Sequence, residues 1–391
     1  MKFDKVSIIL KKSMYFLRYK LFQPSFILSR EMRSWIRWRA LTAGIESTVS
    51  APEDKGGRKS IIFLVPGTTI SGGIAVVLQH ANRLSERGYD VEIFSQSNFV
   101  DTSWFPNQRV KVLSYKEYYK RLKNESIDIL IATGWTTAYP VAMSCAVQKL
   151  YFVQSDESRF FPEDRKRTEI IRSTYSLPLE FITEAKWIQS WLRDDFGKES
   201  SYAPNGIDLS VFHATEPVAP KSRKIRVLIE GAINIPYKGM DDAYEALSSL
   251  DVDIWIVSNN GRPRNEWKFD RYFENVPYGE MNRIYSSCDI FLKMSRVEGF
   301  FGPPMEAMAC GCAVVVGKVT GYDEYIDDGY NALVVEQGDV IGARKAVVQL
   351  VTDVRLRETL IANGLKTATE WNWDRSVDAL EAVIMGTKSG T

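Results

Sequence analysis

The chain has 391 residues, of which 45% are hydrophobic and 25% charged, and this length and composition favour two ordinary globular domains. Fifty Lys and Arg residues balance 49 Asp and Glu residues, so the overall charge does not indicate nucleic-acid binding. Four cysteines without a CxxC pair and two distant histidines argue against a disulfide framework and a zinc site, and they favour a reducing, cytoplasmic compartment.

Residues 1–58 differ from the rest of the chain in their charge. Residues 1–40 carry ten Lys or Arg and two acidic residues, with bulky apolar residues at helical spacing between them. Three interpretations stay open: an amphipathic helix on an anionic membrane surface, an extension packed on the rest of the chain, and a disordered basic arm. The first implies peripheral contact with the inner face of the cell membrane through residues 1–40. No reading motif for nucleic acid is present, so no such partner is expected.

Residues 59–215 are predicted to form a Rossmann-like domain with strands near 60–65, 91–94, 110–113, 127–132, 150–153 and 181–183. A glycine loop ending in Gly72 and Gly73 follows the first strand and precedes a helix. These glycines would let the backbone approach a phosphate or an acceptor. The loop is not G-x-G-x-x-G, which disfavours a dinucleotide site.

Two further loops follow the carboxyl ends of predicted parallel strands. One carries Trp135 and Thr136, and the other carries Gln154 and Asp156. Ligands of open parallel sheets bind beyond these strand ends, so we expect the four side chains to line the cleft. The later turn P-N-G-I-D, residues 204–208, is interpreted as structural, because Asn-Gly and Pro are turn formers.

Residues 222–370 are predicted to form a second Rossmann-like domain, and the segment 298–306, E-G-F-F-G-P-P-M-E, is its densest set of candidate site residues. It joins a predicted buried strand to a predicted helix. Free N–H groups at the helix start would face a phosphate, and Glu298 and Glu306 would accept hydrogen bonds from hydroxyls. Phosphate beside hydroxyls describes a nucleotide sugar. The expected donor-binding residues are Glu306, Gly299, Phe300, Phe301, Gly302 and Pro303, together with Gly72 and Gly73.

With the A-M-A-C-G that follows, this segment resembles the E-x7-E signature of the retaining glycosyltransferase family four, and the resemblance runs from about residue 61 to 370. It implies the α/β GT-B fold, two Rossmann-like domains with parallel sheets facing a cleft, with the C-terminal segment 371–391 crossing back to the first domain. It also implies that Lys238, within K-G, points at the donor diphosphate and that Glu298 and Lys238 are catalytic.

The sequence departs from this family at two positions. The family's arginine after the glycine of this strand is absent, because Ala232 follows Gly231, and Arg296 is an open candidate to replace it. The histidine that the family often places near the first cleft loop is also absent. Trp135 or Thr136 would have to take over its sugar contact, with Gln154 and Asp156 as further sugar or acceptor contacts.

The resemblance implies transfer of a sugar, with retention, from a nucleotide-diphosphate sugar to a hydroxyl of a glycan or lipid-linked glycan in bacterial surface polysaccharide synthesis. Two short strings resemble bacterial rhamnosyltransferases, with UDP-hexoses and GDP-mannose as other donors. Asp251 and Asp253 form a D-x-D, but they open an apolar strand at the sheet's entry edge, so neither a metal nor another cofactor is expected. Two alternatives stay open: a nucleotide-sugar epimerase of the same fold, and a non-catalytic scaffold.

Overall fold

The computed structural model describes residues 59–386 apart from 115–116, 118–126, 145 and 221. The predicted basic extension, residues 1–58, therefore lies outside the described residues. None of the helices in the described part combines the length and apolarity needed to cross a bilayer.

The first domain is built on a seven-stranded parallel sheet in the order β3-β2-β1-β4-β5-β6-β7. Its strands are β1 (Ser60–Val65), β2 (Asp90–Ser95), β3 (Lys111–Leu113), β4 (Ile129–Ala132), β5 (Gln148–Val153), β6 (Glu180–Thr183) and β7 (Ser200–Tyr202). The central strands bury both faces, as parallel sheets covered by helices require. The helices are α1 (Gly72–Glu86), α2 (Trp135–Ala142), α3 (Arg165–Thr174) and α4 (Lys186–Phe196).

The second domain repeats this plan with a six-stranded parallel sheet in the order β10-β9-β8-β11-β12-β13. Its strands are β8 (Arg226–Glu230), β9 (Asp253–Ser258), β10 (Arg271–Glu274), β11 (Ile290–Lys293), β12 (Ala313–Gly317) and β13 (Leu333–Val335). Its helices are α5 (Met240–Leu247), α6 (Met281–Ser286), α7 (Gly302–Ala309), α8 (Val340–Thr352) and α9 (Val354–Glu370). The strand order reverses between β1 and β4 and between β8 and β11, where such sheets bind ligands.

The predicted pair of parallel Rossmann-like sheets is confirmed, with local differences. Helix α1 begins at Gly72, because the Ser71 hydroxyl accepts a hydrogen bond from the Ile74 N–H and caps it. Gly72 and Gly73 therefore open a helix and are not part of the preceding loop. The edge strands β7 and β10 were not predicted, because residues at a sheet edge are only half-buried or exposed and lack an apolar run.

Helix α10 (Trp373–Ile384) packs against the first domain. Its buried Leu380 and Ile384 share an apolar cluster with β1 and α1. Arg87 at the end of α1 holds the same helix through an ion pair with Asp378, at 2.6 Å. The last residues of the described chain thus complete the core of the first domain.

We expect Leu380→Ala to lower the free energy of unfolding by about 2–5 kcal/mol, because it leaves a cavity in that core. The matched control is Leu365→Ala on α9, where the leucine is 38% exposed and the change should stay within about 0.5 kcal/mol. Chemical denaturation measures both. Equal small losses would show that α10 does not belong to the first domain's core.

Candidate active site

A cavity of about 760 Å³ lies between the carboxyl ends of the two parallel sheets. The first domain contributes the loop after β1, the start of α1, and Gln154 after β5. The second domain contributes Gly231 after β8 and most of the segment 298–306 after β11. The cavity therefore lies where the reversal of strand order places a ligand crevice in each sheet.

The cavity brings together most of the site residues that the sequence predicts. The ten predicted residues that line it are Gly72, Gly73, Gln154, Lys238, Glu298, Gly299, Phe300, Gly302, Pro303 and Glu306. Phe301 is fully buried, and its carbonyl oxygen accepts a hydrogen bond from the Tyr325 hydroxyl. It helps to hold the segment in place and does not face the cavity.

Trp135, Thr136 and Asp156 are not among the residues that line the cavity. Trp135 packs partly buried against the first domain's core. The Thr136 hydroxyl donates to Gln96, at 2.8 Å. The buried Asp156 carboxylate accepts from the hydroxyl of Ser158, at 2.5 Å. The prediction placed these residues at the correct edge of the sheet, because they follow the carboxyl ends of strands. It was wrong that their side chains line the cavity.

Glu298 and Lys238 form an ion pair within the cavity, with the Lys238 Nζ at 2.9 Å and 2.8 Å from the two carboxylate oxygens. Burial by itself would raise the pKa of Glu298, but the ammonium groups of Lys238 and Lys293 hold it below its ordinary value. Glu298 is therefore an ionised carboxylate at neutral pH, and it is bound to the cation predicted for the diphosphate.

Glu306 has the opposite electrostatic character. Burial, together with the nearby carboxylate of Glu230, raises its pKa to about 8, although the Tyr285 hydroxyl donates to it at 3.1 Å. At pH 7 its carboxyl group is mostly protonated. It can therefore both donate to and accept from a ligand hydroxyl.

The start of helix α7 offers a phosphate fewer N–H groups than the sequence predicted. The Gly302 N–H donates to the Phe300 carbonyl oxygen at 3.0 Å, and Pro303 and Pro304 have no N–H. Arg296 is no substitute, because its half-exposed side chain pairs with Asp242 at 2.6 Å and does not line the cavity. The helix dipole remains, but positive charge in the cavity must come from lysine.

Glu184 is a cavity residue that the sequence did not reveal, although it directly follows β6 and the strand-end rule could have found it. One of its oxygens accepts from the Phe300 N–H at 3.0 Å, and the other accepts from Asn205 at 2.8 Å. Trp187 donates to the Gly299 carbonyl at 2.9 Å. Through these bonds the first domain holds the backbone beside Glu298, and the Asn205 turn has a role at the site.

Lys293 and Glu230 also line the cavity and were not predicted. The Lys293 Nζ lies 2.6 Å from the Glu230 carboxylate and 2.9 Å from its carbonyl oxygen. Lysine is rare at a fully buried strand position, and this departure from an apolar run was the available signal.

In the described part of the chain, no group of three or more His, Cys, Asp and Glu residues is arranged to hold a metal ion. Asp251 and Asp253 lie at the amino end of β9, at the sheet edge opposite the cavity, where both pair with Lys224 at 2.9 Å and 3.8 Å. The D-x-D thus belongs to a surface ion-pair cluster outside the candidate site.

The chain is similar in sequence to known glycosyltransferases. Residues 271–367 match a family model described as glycosyl transferases group 1. The chain is similar to the D-inositol 3-phosphate glycosyltransferase of Stackebrandtia nassauensis, with 23% identity over 81% of this chain and 87% of that protein. It is also similar to the O-antigen chain mannosyltransferase B of Escherichia coli, with 32% identity over 35% of this chain and 32% of that protein.

Several other curated relatives are matched over about a fifth to just over half of their length. Among solved structures, the chain is similar to Anabaena Alr3699/HepE in complex with UDP and glucose, with a TM-score of 0.69 and 15% identity over 84% of this chain and 100% of that one. The fold is therefore the GT-B fold, as predicted, and the comparisons support glycosyl transfer as the activity.

We expect Glu184→Gln to flatten the decline of stability with pH. Burial raises the pKa of Glu184 from 4.5 to about 8, so its stabilising contribution is complete below pH 4.5 and is lost as pH rises towards 8. The variant does not titrate there, so its unfolding free energy should fall less steeply from pH 5 to 8, by up to about 1.4 kcal/mol per pH unit.

The control for this change is Glu163→Gln, because Glu163 is exposed on the surface of the same domain. Urea unfolding at several pH values gives both slopes. If the Glu184→Gln slope matched that of the control, Glu184 would be ionised in the folded protein, and its pKa would not be raised by burial as stated.

Proposed function

We propose that the protein is a retaining, metal-independent glycosyltransferase that moves a sugar from a nucleotide-diphosphate donor to a hydroxyl of a glycan or lipid-linked glycan. The observation that carries the proposal is the pairing of ionised Glu298 with Lys238, beside neutral Glu306, in the cavity between the two sheets. The structurally similar Anabaena Alr3699/HepE, solved in complex with UDP and glucose, supports a nucleotide sugar as the donor.

The roles follow from the charges that develop during transfer. Breaking the bond at the anomeric carbon leaves negative charge on the phosphate and positive charge on the sugar ring. Lys238 would stabilise the departing phosphate, and Glu298 would stabilise the ring and orient its hydroxyls. Glu306 would bind the ribose hydroxyls. The acceptor would attack the face that the leaving group departs from, which retains the configuration.

The acceptor class rests on the nature of the relatives and on the sequence. Similarity to an O-antigen mannosyltransferase supports a role in bacterial surface polysaccharide synthesis. We propose that the reaction occurs at the cytoplasmic face of the cell membrane, where a lipid-linked acceptor would be presented to a peripheral enzyme. The donor sugar is a hexose or deoxyhexose, and dTDP-rhamnose, UDP-hexoses and GDP-mannose are the candidates to test.

The donor class is tested by ligand-dependent thermal shift with UDP, GDP, dTDP and their sugar conjugates, with and without a chelator. We expect one nucleotide to raise the melting temperature by mass action, equally with chelator present. Turnover with acceptors then tests transfer. Conversion of the donor without any acceptor would favour an epimerase, and binding without turnover would favour a scaffold. No binding at all would overturn the proposal.

The two glutamates should respond differently to substitution. We expect Glu298→Gln to lower kcat by about 100-fold or more while the affinity for the nucleoside diphosphate changes little, because its charge acts on the transition state. We expect Glu306→Ala to weaken nucleotide binding by about 0.5–1.5 kcal/mol, the range for a hydrogen bond between neutral groups. Calorimetry and steady-state rates separate these effects. The control is Glu336→Gln, an exposed carboxylate outside the cavity, and the reverse pattern would reverse the assigned roles.

A further inference from the structure

Lys293 is a buried cation at the bottom of the candidate site. It is the last residue of β11, beside the point where the strand order of the second sheet reverses, and its side chain is 2% exposed. A lysine in this position loses its hydration and is retained only when its charge is paired. Glu230 provides that pairing with two hydrogen bonds, at 2.6 Å and 2.9 Å.

The pair with Glu230 does not use the full bonding capacity of Lys293. An ammonium group has three N–H donors, and the bonds to Glu230 use two of them. Burial raises the pKa of both Glu298 and Glu306, and the positive charge of Lys293 opposes this rise in each, so the charge reaches the two carboxyl groups of the site. Its ammonium group thus acts electrostatically on the centre of the cavity.

The cavity is short of positive charge for a diphosphate. Among the described residues that line it, Lys238 and Lys293 are the only lysines or arginines. Each is paired with a carboxylate. Helix α7 beside them begins with Pro303 and Pro304, which have no N–H to donate. A diphosphate carries negative charge on the oxygen atoms of both phosphoryl groups, so the single ammonium group of Lys238 leaves one of them without a cation.

We propose that Lys293 is a second phosphate-binding residue, whose ammonium group donates to the diphosphate of the donor while Glu230 holds it in position. This inference rests on the proposed function, because it requires a nucleoside diphosphate in the cavity. Glu230 is then a positioning residue that lets a lysine persist in a buried strand. Lys293 would then supply the second positive charge that is missing because no arginine follows Gly231.

The test compares the double variant Lys293→Met/Glu230→Gln with a matched control, Lys318→Met/Glu336→Gln, which removes an exposed ion pair outside the cavity. The double variant removes the cation without leaving an unpaired buried carboxylate. Calorimetry is run with the nucleoside diphosphate that the thermal-shift screen selects (UDP, GDP or dTDP) and with the corresponding nucleoside. Relative to the control, we expect the diphosphate to bind about 10- to 100-fold more weakly and the nucleoside to change less than twofold.

Equal changes for diphosphate and nucleoside, or no change for either, would show that Lys293 only neutralises Glu230 and would overturn the inference. The variant Lys238→Met distinguishes a failure of this inference from a failure of the proposed function. If that variant weakens diphosphate binding and the double variant does not, the proposed function survives and the inference fails. If the wild-type protein binds no nucleoside diphosphate, the proposed function itself fails, and the inference with it.

If the methionine variant is unfolded at the assay temperature, Lys293→Gln/Glu230→Gln provides the same comparison. Glutamine retains side-chain N–H donors while it removes the positive charge. The expected loss is again confined to the diphosphate, and an unchanged diphosphate affinity would again contradict the inference.

Discussion

The arrangement of the site depends on the contact by which the first domain holds the backbone next to Glu298. Glu184 accepts from the Phe300 N–H, and Trp187 donates to the Gly299 carbonyl. A Cβ atom at Gly299 would lie 1.7 Å from the Gln154 carbonyl oxygen, so only glycine permits this approach. The carboxylate of one domain is therefore positioned by the strand ends of the other, and the cavity exists only while both domains meet.

The two glutamates of the segment 298–306, which are separated by seven residues, acquire different charges. Lys238 and Lys293 keep Glu298 ionised, whereas burial beside Glu230 keeps Glu306 neutral. This division follows from the charged groups that each side chain reaches, since burial raises the pKa of both residues. An ionised group suits a developing positive ring, and a neutral carboxyl suits the exchange of hydrogen bonds with hydroxyls.

Much of this could be predicted from the sequence, because apolar strands, glycine turns and the segment 298–306 are local signals. The pair of parallel sheets and ten of the expected site residues at the cavity came from such signals. Trp135 was misjudged because a position after a strand does not determine where a side chain points. Glu184 and Lys293 were missed because each gains its role from a partner more than 60 residues away in the chain. The contact between the domains brings Glu184 to Phe300, and the pairing of β8 with β11 within one sheet brings Lys293 to Glu230.

The neutral state of Glu184 links its contact with the Phe300 N–H to the chemistry of the site. Its carboxyl group lies close enough to Glu298 for that charge to raise its pKa, after the larger effect of burial. If Glu184 lost its proton, its negative charge and that of Glu298 would repel each other beside Gly299. The neutral carboxyl group can therefore hold the segment 298–306 without repelling Glu298. The same group thereby serves the contact between the domains and leaves the Lys238–Glu298 ion pair without a second negative charge beside it.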